Sequence, residues 1–104
     1  MHELRLALLD KTRPVIVLTR EFALPALNTA TIAPITSTIR GISSEVRLSP
    51  INGLDHDCVA SLDNIQTIPQ DRLGKHIGFL TDAQERALAR AFALTFDLDV
   101  PIFS

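Results

Sequence analysis

TRPVIVL at Thr12–Leu18 and TIAPITS at Thr31–Ser37 are the two segments that indicate how this chain folds. Both are rich in β-branched residues, which favour β-strands. The first segment carries Arg13 near its start, and the second carries the hydroxyl of Thr36 near its end. If the two strands pair, the guanidinium and the hydroxyl can reach one phosphate group. The segments therefore predict a β-sheet that holds a candidate phosphodiester site.

The size and composition of the chain indicate one small domain over residues 1–104. A domain of 11.4 kDa buries only about two-thirds of the surface of its unfolded chain. Hydrophobic residues make up 46% of the chain, and the mean hydropathy is +0.22. Because this is more apolar than a monomer of this size needs, we expect a homodimer.

The sequence shows neither a secretory nor a membrane pattern. The one cysteine, Cys58, cannot form an internal disulfide, and no basic stretch followed by an apolar signal segment opens the chain. Charges interrupt every apolar run before it reaches the roughly 18 residues that a membrane span requires. We therefore expect a soluble, cytoplasmic protein without a membrane span.

The net charge of -2 argues against a general nucleic-acid binder, but the charge is distributed unevenly. Residues 1–47 hold six Lys or Arg against four acids, and the remainder holds four against eight. This distribution allows a basic face built from Arg5, Lys11, Arg13, Arg20, Arg40 and Arg47. Individually solvated surface charges would give the same counts, so both interpretations stay open.

Short strand-like segments recur along the chain, separated by turn signals such as Asn52-Gly53 and Arg72–Gly74. Pro34 predicts an edge strand or a strand end, and residues 21–28 predict a loop with a helical turn. The strand candidates are Leu4–Leu9, Val15–Leu18, Thr29–Ile35, Glu45–Leu48, Cys58–Leu62, Ile65–Ile68 and His76–Leu80.

One α-helix is predicted near the end of the chain. Thr81 and Gln84 form a capping-box pattern, and the helix should end near Asp97. Its expected apolar face comprises Ala87, Leu88, Ala91, Phe92 and Leu94–Phe96. The pattern predicts a mainly β fold, namely a strongly bent sheet or partly open β-barrel with one C-terminal α-helix packed on it.

Several kinds of chemistry have little support in the sequence. The three histidines are isolated, and Asp55–Cys58 would alternate across a strand, so no metal site is expected. The four glycines are dispersed and match no phosphate loop or dinucleotide fingerprint, so no cofactor is expected. Cys58 has acidic neighbours that disfavour a thiolate, which predicts a buried structural cysteine. No Gly-x-Ser-x-Gly motif marks a serine nucleophile.

Arg13 has the strongest functional case. Its guanidinium offers fixed planar donors to a phosphate, and Pro14 restricts the backbone that aims it. The residues alone leave a structural alternative, in which Arg13 is a surface ion-pair partner and Thr36 a turn hydroxyl that bonds its own backbone.

The order of motifs along the chain resembles the MazF/PemK toxin family of endoribonucleases. The matching segments are Arg13–Leu18, Ala33–Gly41, Glu45-Val46, Gly53-Leu54, Cys58-Val59, Leu62–Ile68, Arg72–Gly74, Ile77–Leu80 and the terminal helix. The resemblance implies the SH3-like barrel of the MazF and CcdB toxins, a homodimer, and a cognate MazE-like antitoxin that inhibits the toxin. It also implies metal-independent cleavage of single-stranded RNA at short sequence motifs, in which a ribose 2'-hydroxyl attacks phosphorus and leaves a 2',3'-cyclic phosphate.

The resemblance assigns the catalytic roles to Arg13 and Thr36. Arg13 would stabilise transition-state charge and take part in proton transfer, and Thr36 would donate to a phosphate oxygen. Many family members carry a longer, glycine-rich loop with an acid before the arginine, whereas this chain has only Asp10–Thr12. Five Phe and no Trp or Tyr leave few stacking platforms, so bases would be read by hydrogen bonds and pocket shape. Further RNA contacts are expected at Lys11, Thr12, Ser37, Thr38, Arg40 and Gln66.

Two other readings of the resemblance stay open. One is a non-catalytic poison like CcdB, which shares the fold and binds a protein target such as DNA gyrase. CcdB-like chains end in Trp-Gly-Ile, whereas this chain ends DVPIFS at residues 99–104 and keeps both Arg13 and Thr36. The other is a degenerate family member that acts as a binding module.

Overall fold

The computed structural model describes residues 1–99, the side chains of residues 21 and 22 apart. Residues 100–104, which belong to the C-terminal stretch that differs from the Trp-Gly-Ile end of CcdB-like chains, lie outside the described residues. Within residues 1–99 no helix has both the length and the apolar character needed to cross a membrane.

Seven strands and one α-helix make up the part of the chain that the structure describes. The strands are β1 (Glu3–Leu8), β2 (Thr12–Val17), β3 (Thr29–Thr36), β4 (Glu45–Leu48), β5 (Cys58–Ser61), β6 (Gln66–Pro69) and β7 (Leu73–Phe79), and the helix is α1 (Asp82–Thr95). Four 3-10 turns connect them, at Glu21–Ala26, Pro50–Asn52, Leu62–Asn64 and Gln70–Arg72. The predicted turn at Asn52-Gly53 is confirmed, since Gly53 ends its 3-10 turn with a φ of 90°.

The strands form one antiparallel sheet in the order β4-β5-β3-β2-β1-β7, with β6 paired to β3 as well. The strand β3 has a different neighbour along each half of one side. Thr29 to Ile32 pair with β6, and Ile35 and Thr36 pair with β5. This change of partner curls the sheet into a half-barrel. The predicted mainly β, strongly bent sheet with one C-terminal helix is confirmed.

The prediction that Pro34 marks an edge strand or a strand end is wrong, because β3 has neighbours on both sides and continues to Thr36. Pro34 lies between the pairing to β6, which ends at Ile32, and the pairing to β5, which begins at Ile35. The carbonyl of Thr31 accepts from Leu18 on the β2 side. Because backbone groups alternate between the two sides of a strand, the nitrogen of Pro34 faces the gap on the other side. The missing N–H is therefore tolerated inside the sheet.

The predicted turn at Arg72–Gly74 is also wrong in its second half. The 3-10 turn ends at Arg72, and β7 begins at Leu73 and pairs with β1. Arg5 is opposite His76 and Ala7 is opposite Leu73, so β7 has one residue more than β1 over this stretch. This β-bulge absorbs the residues that the sequence suggested as a turn.

The main core lies between the concave side of the sheet and α1. It contains Leu4, Ile16, Ala33, Ile35, Val46, Leu48, Cys58, Ala60, Leu62, Leu80, Leu88 and Ala91. A second cluster, made of Ala7, Val15, Ala30, Ile32 and Ile68, packs on the other face of the sheet. The predicted apolar face of α1 is buried at Leu88 and Ala91, whereas Phe92, Leu94 and Phe96 are 38%, 54% and 46% exposed.

A buried polar network fixes the beginning of α1. The helix starts with the predicted capping box, in which Thr81 and Gln84 bond each other's backbone N–H groups. Asn52 is 1% exposed, and its amide donates to the carbonyl of Phe79 and exchanges two hydrogen bonds with the amide of Gln84. Its oxygen also accepts from the N–H of Ser49. Because all these groups are satisfied, the backbone at Asn52 is held against the end of β7.

Gly78→Ala is expected to destabilise the protein by about 2–3 kcal/mol. A Cβ at Gly78 would overlap the carbonyl group of Asn52, which the network prevents from moving. Gly74→Ala on the same strand is the matched control, because its nearest heavy atom, the carbonyl oxygen of Leu6, would be 3.4 Å away. Chemical denaturation of both variants measures the free energies of unfolding. Equal losses for the two variants would contradict the argument.

Candidate active site

Arg13 and Thr36 come together through the pairing of β2 with β3. The recorded register joins Val15 with Pro34 and Val17 with Ile32. Continued by two residues, it places Arg13 opposite Thr36. Both residues are partly exposed and line the same open cavity of about 740 Å³. The two segments that indicated the fold therefore also place the two candidate side chains at one site.

The cavity is lined by residues of five strands, of two loops and of two turns. The strands are β2, β3, β4, β5 and β6, the loops are the β1–β2 and β3–β4 connections, and the turns precede β6 and β7. Of the residues predicted from the sequence, five line it: Arg13, Thr36, Thr38, Arg40 and Gln66. Lys11, Thr12 and Ser37 are exposed but lie outside the lining. Thr12 and Ser37 directly neighbour Arg13 and Thr36, and successive side chains of an extended backbone point to opposite faces. Their contact with RNA stays a prediction.

Sequence reasoning missed several polar residues of the cavity. Asp10, Glu45, Asp63, Asn64 and Arg72 all line it. Asp10 lies three residues before Arg13, and this spacing is the sequence signal that could have indicated an ion pair. The other four come from distant parts of the chain, and only the curl of the sheet brings them to Arg13.

The expected basic face is only partly realised at this site. Arg13 and Arg40 line the cavity, and Arg72 joins them. Arg5 instead donates from its guanidinium to the carbonyl of Gly74 on β7. Arg20 lines pockets at another place on the surface.

Arg13 forms a bidentate ion pair with Asp10. Its Nε is 2.9 Å from Oδ1 and its Nη2 is 3.1 Å from Oδ2 of that carboxylate. The hydrogen bond from Arg13, with a further one from the N–H of Lys11, lowers the pKa of Asp10 to about 2. Asp10 in turn raises the pKa of Arg13. The guanidinium is thus held charged and oriented, and three of its five N–H donors remain for a ligand.

Thr36 makes the local hydrogen bond that the structural alternative predicted. Its Oγ1 accepts from the backbone N–H of Thr38 at 3.2 Å. This bond uses only a lone pair, so the hydroxyl proton is still available to donate to a ligand. The ion pair of Arg13 and the turn bond of Thr36 therefore orient both side chains and leave each with a free donor.

Cys58 and the acidic residues do not add another kind of site. Cys58 is buried, and burial together with Asp57 and Asp55 raises the pKa of its thiol, as the sequence predicted. Among residues 1–99, no three His, Cys, Asp or Glu side chains lie close enough to share a metal ion.

Comparison with known proteins gives consistent matches over nearly the whole chain. Residues 7–96 match the family model described as PemK-like, MazF-like toxin of type II toxin-antitoxin system. Endoribonuclease MazF3 of Mycobacterium tuberculosis is 50% identical over 99 residues, which cover 95% of this chain and 96% of that relative. The solved Mycobacterium tuberculosis toxin MazF-mt6 matches with a TM-score of 0.92 at 50% identity, over 94% of this chain and 99% of that one. An endoribonuclease in complex with its cognate antitoxin from a mycobacterial species has a TM-score of 0.83 at 23% identity over 95% of each chain, which shows a shared fold.

Arg13→Ala is expected to raise the pKa of Asp10 from about 2 toward its ordinary value of 3.8. Because the folded-state pKa lies below that ordinary value, the contribution of the ion pair to stability is complete above pH 3.8 and is lost as the pH falls through about 2. A carboxyl-carbon NMR titration of Asp10 measures both values. Arg5→Ala is the control and should leave the titration unchanged, and an Asp10 that titrates near its ordinary value in the unmodified protein would contradict the ion pair.

Proposed function

We propose, since the chain belongs to the PemK-like, MazF-like toxin family of type II toxin-antitoxin systems, that it is an endoribonuclease toxin that cleaves single-stranded RNA. The observation that carries this proposal is the placement of Arg13 opposite Thr36 at the edge of one cavity, with free donors on both. Cleavage requires no metal ion, because the negative charge that develops on the non-bridging phosphate oxygens is met by these donors.

The reaction begins with the ribose 2'-hydroxyl next to the scissile phosphate. Its oxygen forms a bond to phosphorus while the bond from phosphorus to the 5'-oxygen breaks, which yields a 2',3'-cyclic phosphate and a free 5'-hydroxyl. Arg13 and Thr36 donate to the non-bridging oxygens, whose negative charge grows in the transition state. The donors are already oriented by Asp10 and by the backbone of Thr38, so little reorganisation is needed during the reaction.

The positive charge of Arg13 limits the part that this residue takes in the proton transfers. Asp10 raises the pKa of Arg13, so the guanidinium is a poor base for the 2'-proton. It is better suited to hydrogen-bond the departing 5'-oxygen. The 2'-proton passes to solvent water in the open cavity, and water supplies the proton that the 5'-oxygen takes up. Asp10 is also a weak base, since a carboxylate whose pKa is lowered to about 2 has little affinity for a proton near neutral pH. Its part in the reaction is to hold Arg13.

Single-stranded RNA fits the other polar groups of the cavity. Arg40 and Arg72 supply positive charge for neighbouring phosphates, and Thr38, Asn64 and Gln66 supply donors and acceptors for base edges. A short sequence motif would be read by these hydrogen bonds, since the chain has no Trp or Tyr for base stacking.

A cognate MazE-like antitoxin is the proposed inhibitor and the cytoplasm the proposed location. An acidic, extended segment of that partner would compete with RNA for Arg13, Arg40 and Arg72 at the cavity. The solved neighbour described as an endoribonuclease in complex with its cognate antitoxin has the same fold as this chain.

In EDTA, the purified protein is expected to cleave a long RNA to fragments that end in 2',3'-cyclic phosphate. Arg13→Ala and Thr36→Val should each lower the cleavage rate by about 100-fold or more, because each removes a donor to the transition state. Thr36→Ser keeps a hydroxyl and should retain far more activity than Thr36→Val. Mass spectrometry of the fragment ends and initial rates provide the two measurements.

The control for these variants is Arg5→Ala, which removes an exposed arginine outside the cavity and should cleave normally. Cleavage that needs an added divalent ion, or full activity of Arg13→Ala, would contradict the mechanism. Arrest of growth on expression without any RNA cleavage would instead favour the CcdB-like poison, and the absence of both effects would favour the degenerate binding module.

The exposed apolar end of α1 supports the proposed homodimer. Phe92 and Phe96 contact each other with ring centroids 4.7 Å apart, yet both are more than a third exposed. Leu98, which lines a pocket with Phe92, extends this apolar surface. A patch of this kind is typical of a subunit interface.

Phe92→Glu is expected to convert a dimer to an 11.4 kDa monomer, because the new carboxylate would be buried unpaired in the interface. Sedimentation velocity measures the mass. Ala83→Glu adds the same charge to the exposed first turn of α1 and should leave the dimer intact. A monomeric unmodified protein would exclude the proposed homodimer. A dimer that persists in Phe92→Glu would place the interface elsewhere.

A further inference from the structure

The loop between β3 and β4, residues 37–44, is organised around one carboxylate. Glu45, the first residue of β4, accepts from the backbone N–H of Gly41 at 2.8 Å. The N–H of Arg40 points to the same carboxylate, 3.1 and 3.3 Å from its two oxygens. Two successive N–H groups that converge on an anion form a backbone nest. Here the anion belongs to the chain itself.

The backbone at Gly41 makes this arrangement possible. Gly41 has a φ of 73°, a conformation that glycine adopts without strain, and a Cβ there would meet no atom within 4 Å. Backbone geometry, not lack of space, therefore determines the residue at this position. The turn brings the N–H groups of residues 40 and 41 to one point, where the carboxylate binds them.

The remainder of the loop is attached at its two ends. The hydroxyl of Thr36 binds the N–H of Thr38 where the loop begins, and Ser44 donates to Asp63 at 2.5 Å where it ends. The carbonyl of Ser44 also accepts from the N–H of Leu62. Between these ends, Glu45 provides the attachment closest to Arg40, whose side chain is exposed and lines the cavity.

We infer that Glu45 is a positioning residue that aims Arg40 at an RNA phosphate next to the scissile bond. This inference rests on the proposed function. Glu45 does not touch the RNA; its carboxylate fixes the backbone of Arg40, whose side chain lines the same cavity as Arg13. Without it, the loop loses its central support and Arg40 samples several directions, so the phosphate contact is lost for most of the time.

The test is a double-mutant cycle with Glu45→Ala and Arg40→Ala, measured by the kinetics of cleavage of a short RNA. Each single variant is expected to raise KM about tenfold, the value of one charge-assisted hydrogen bond, with kcat changed less than about threefold. In the Arg40→Ala background, Glu45→Ala should raise KM by no more than about twofold, because both act through the same contact. Glu45→Gln keeps one acceptor oxygen and should fall between Glu45→Ala and the unmodified protein.

Hydrogen exchange at the amides of Arg40 and Gly41, followed by NMR, gives a readout that does not depend on cleavage. Exchange at Gly41 should be at least about tenfold faster in Glu45→Ala. Asp57→Asn is the matched control, because it removes one exposed carboxylate from another loop and should change neither exchange nor KM. A purely structural role would reduce the active fraction, and so kcat, while KM stayed constant.

Several outcomes would overturn the inference. The first is that the effects of the Glu45 and Arg40 variants on KM are independent and multiply. The second is unchanged hydrogen exchange at Gly41. The third is a lower KM in Glu45→Gln, which would mean that the carboxylate occupies a site meant for phosphate. If the unmodified protein cleaves no RNA, the proposed function fails. The same cycle then measures RNA affinity by fluorescence anisotropy, where coupling between Glu45 and Arg40 still supports the positioning role and its absence overturns it.

Discussion

The antiparallel register of β2 against β3 is the constraint on which the rest of this structure depends. Alternate residues of β2 face opposite sides of the sheet, so Ile16 enters the main core and Val15 enters the second cluster. A slip of one residue would exchange the two faces and separate Arg13 from Thr36. The burial of apolar side chains on both sides therefore fixes the geometry of the candidate active site, and stability and chemistry share one determinant.

Electrostatics in the cavity explain how an acidic chain can present a site for an anion. Three arginines and three carboxylates line it, and each carboxylate is already engaged by the chain: Asp10 by a guanidinium, Glu45 by two backbone N–H groups, and Asp63 by a hydroxyl. These bonds position the groups that line the cavity. The side chains of Arg40 and Arg72 and the outer N–H groups of Arg13 remain available to bind a ligand. The contacts of the individual charged side chains therefore indicate the charge of the ligand better than the net charge of the chain does.

The sequence predicted the features that depend on local chemistry. The capping box at Thr81, the turn at Asn52-Gly53 and the mainly β class follow from short-range patterns, and the structure contains all three. Features that depend on distant partners were not predictable. The strand β3 can contain Pro34 because its pairing partner changes there from β6 to β5. The strand β7 begins earlier than the sequence predicted because a bulge against β1 accommodates the extra residues. Asn64 and Arg72 reach the cavity for the same reason, since only the curl of the sheet brings their turns beside Arg13.

The short β1–β2 connection brings an acid to Arg13. Leu8 pairs with Thr12, so only residues 9–11 separate the strands, and Asp10 lies at their centre. From that position its carboxylate binds Arg13 with both oxygens. A connection of three residues is therefore enough to place an acid beside the guanidinium. The β3–β4 loop reaches the same cavity with Thr38, Arg40 and Ile42, and the carboxylate of Glu45 supports that loop, so a carboxylate positions an arginine at two places around one cavity.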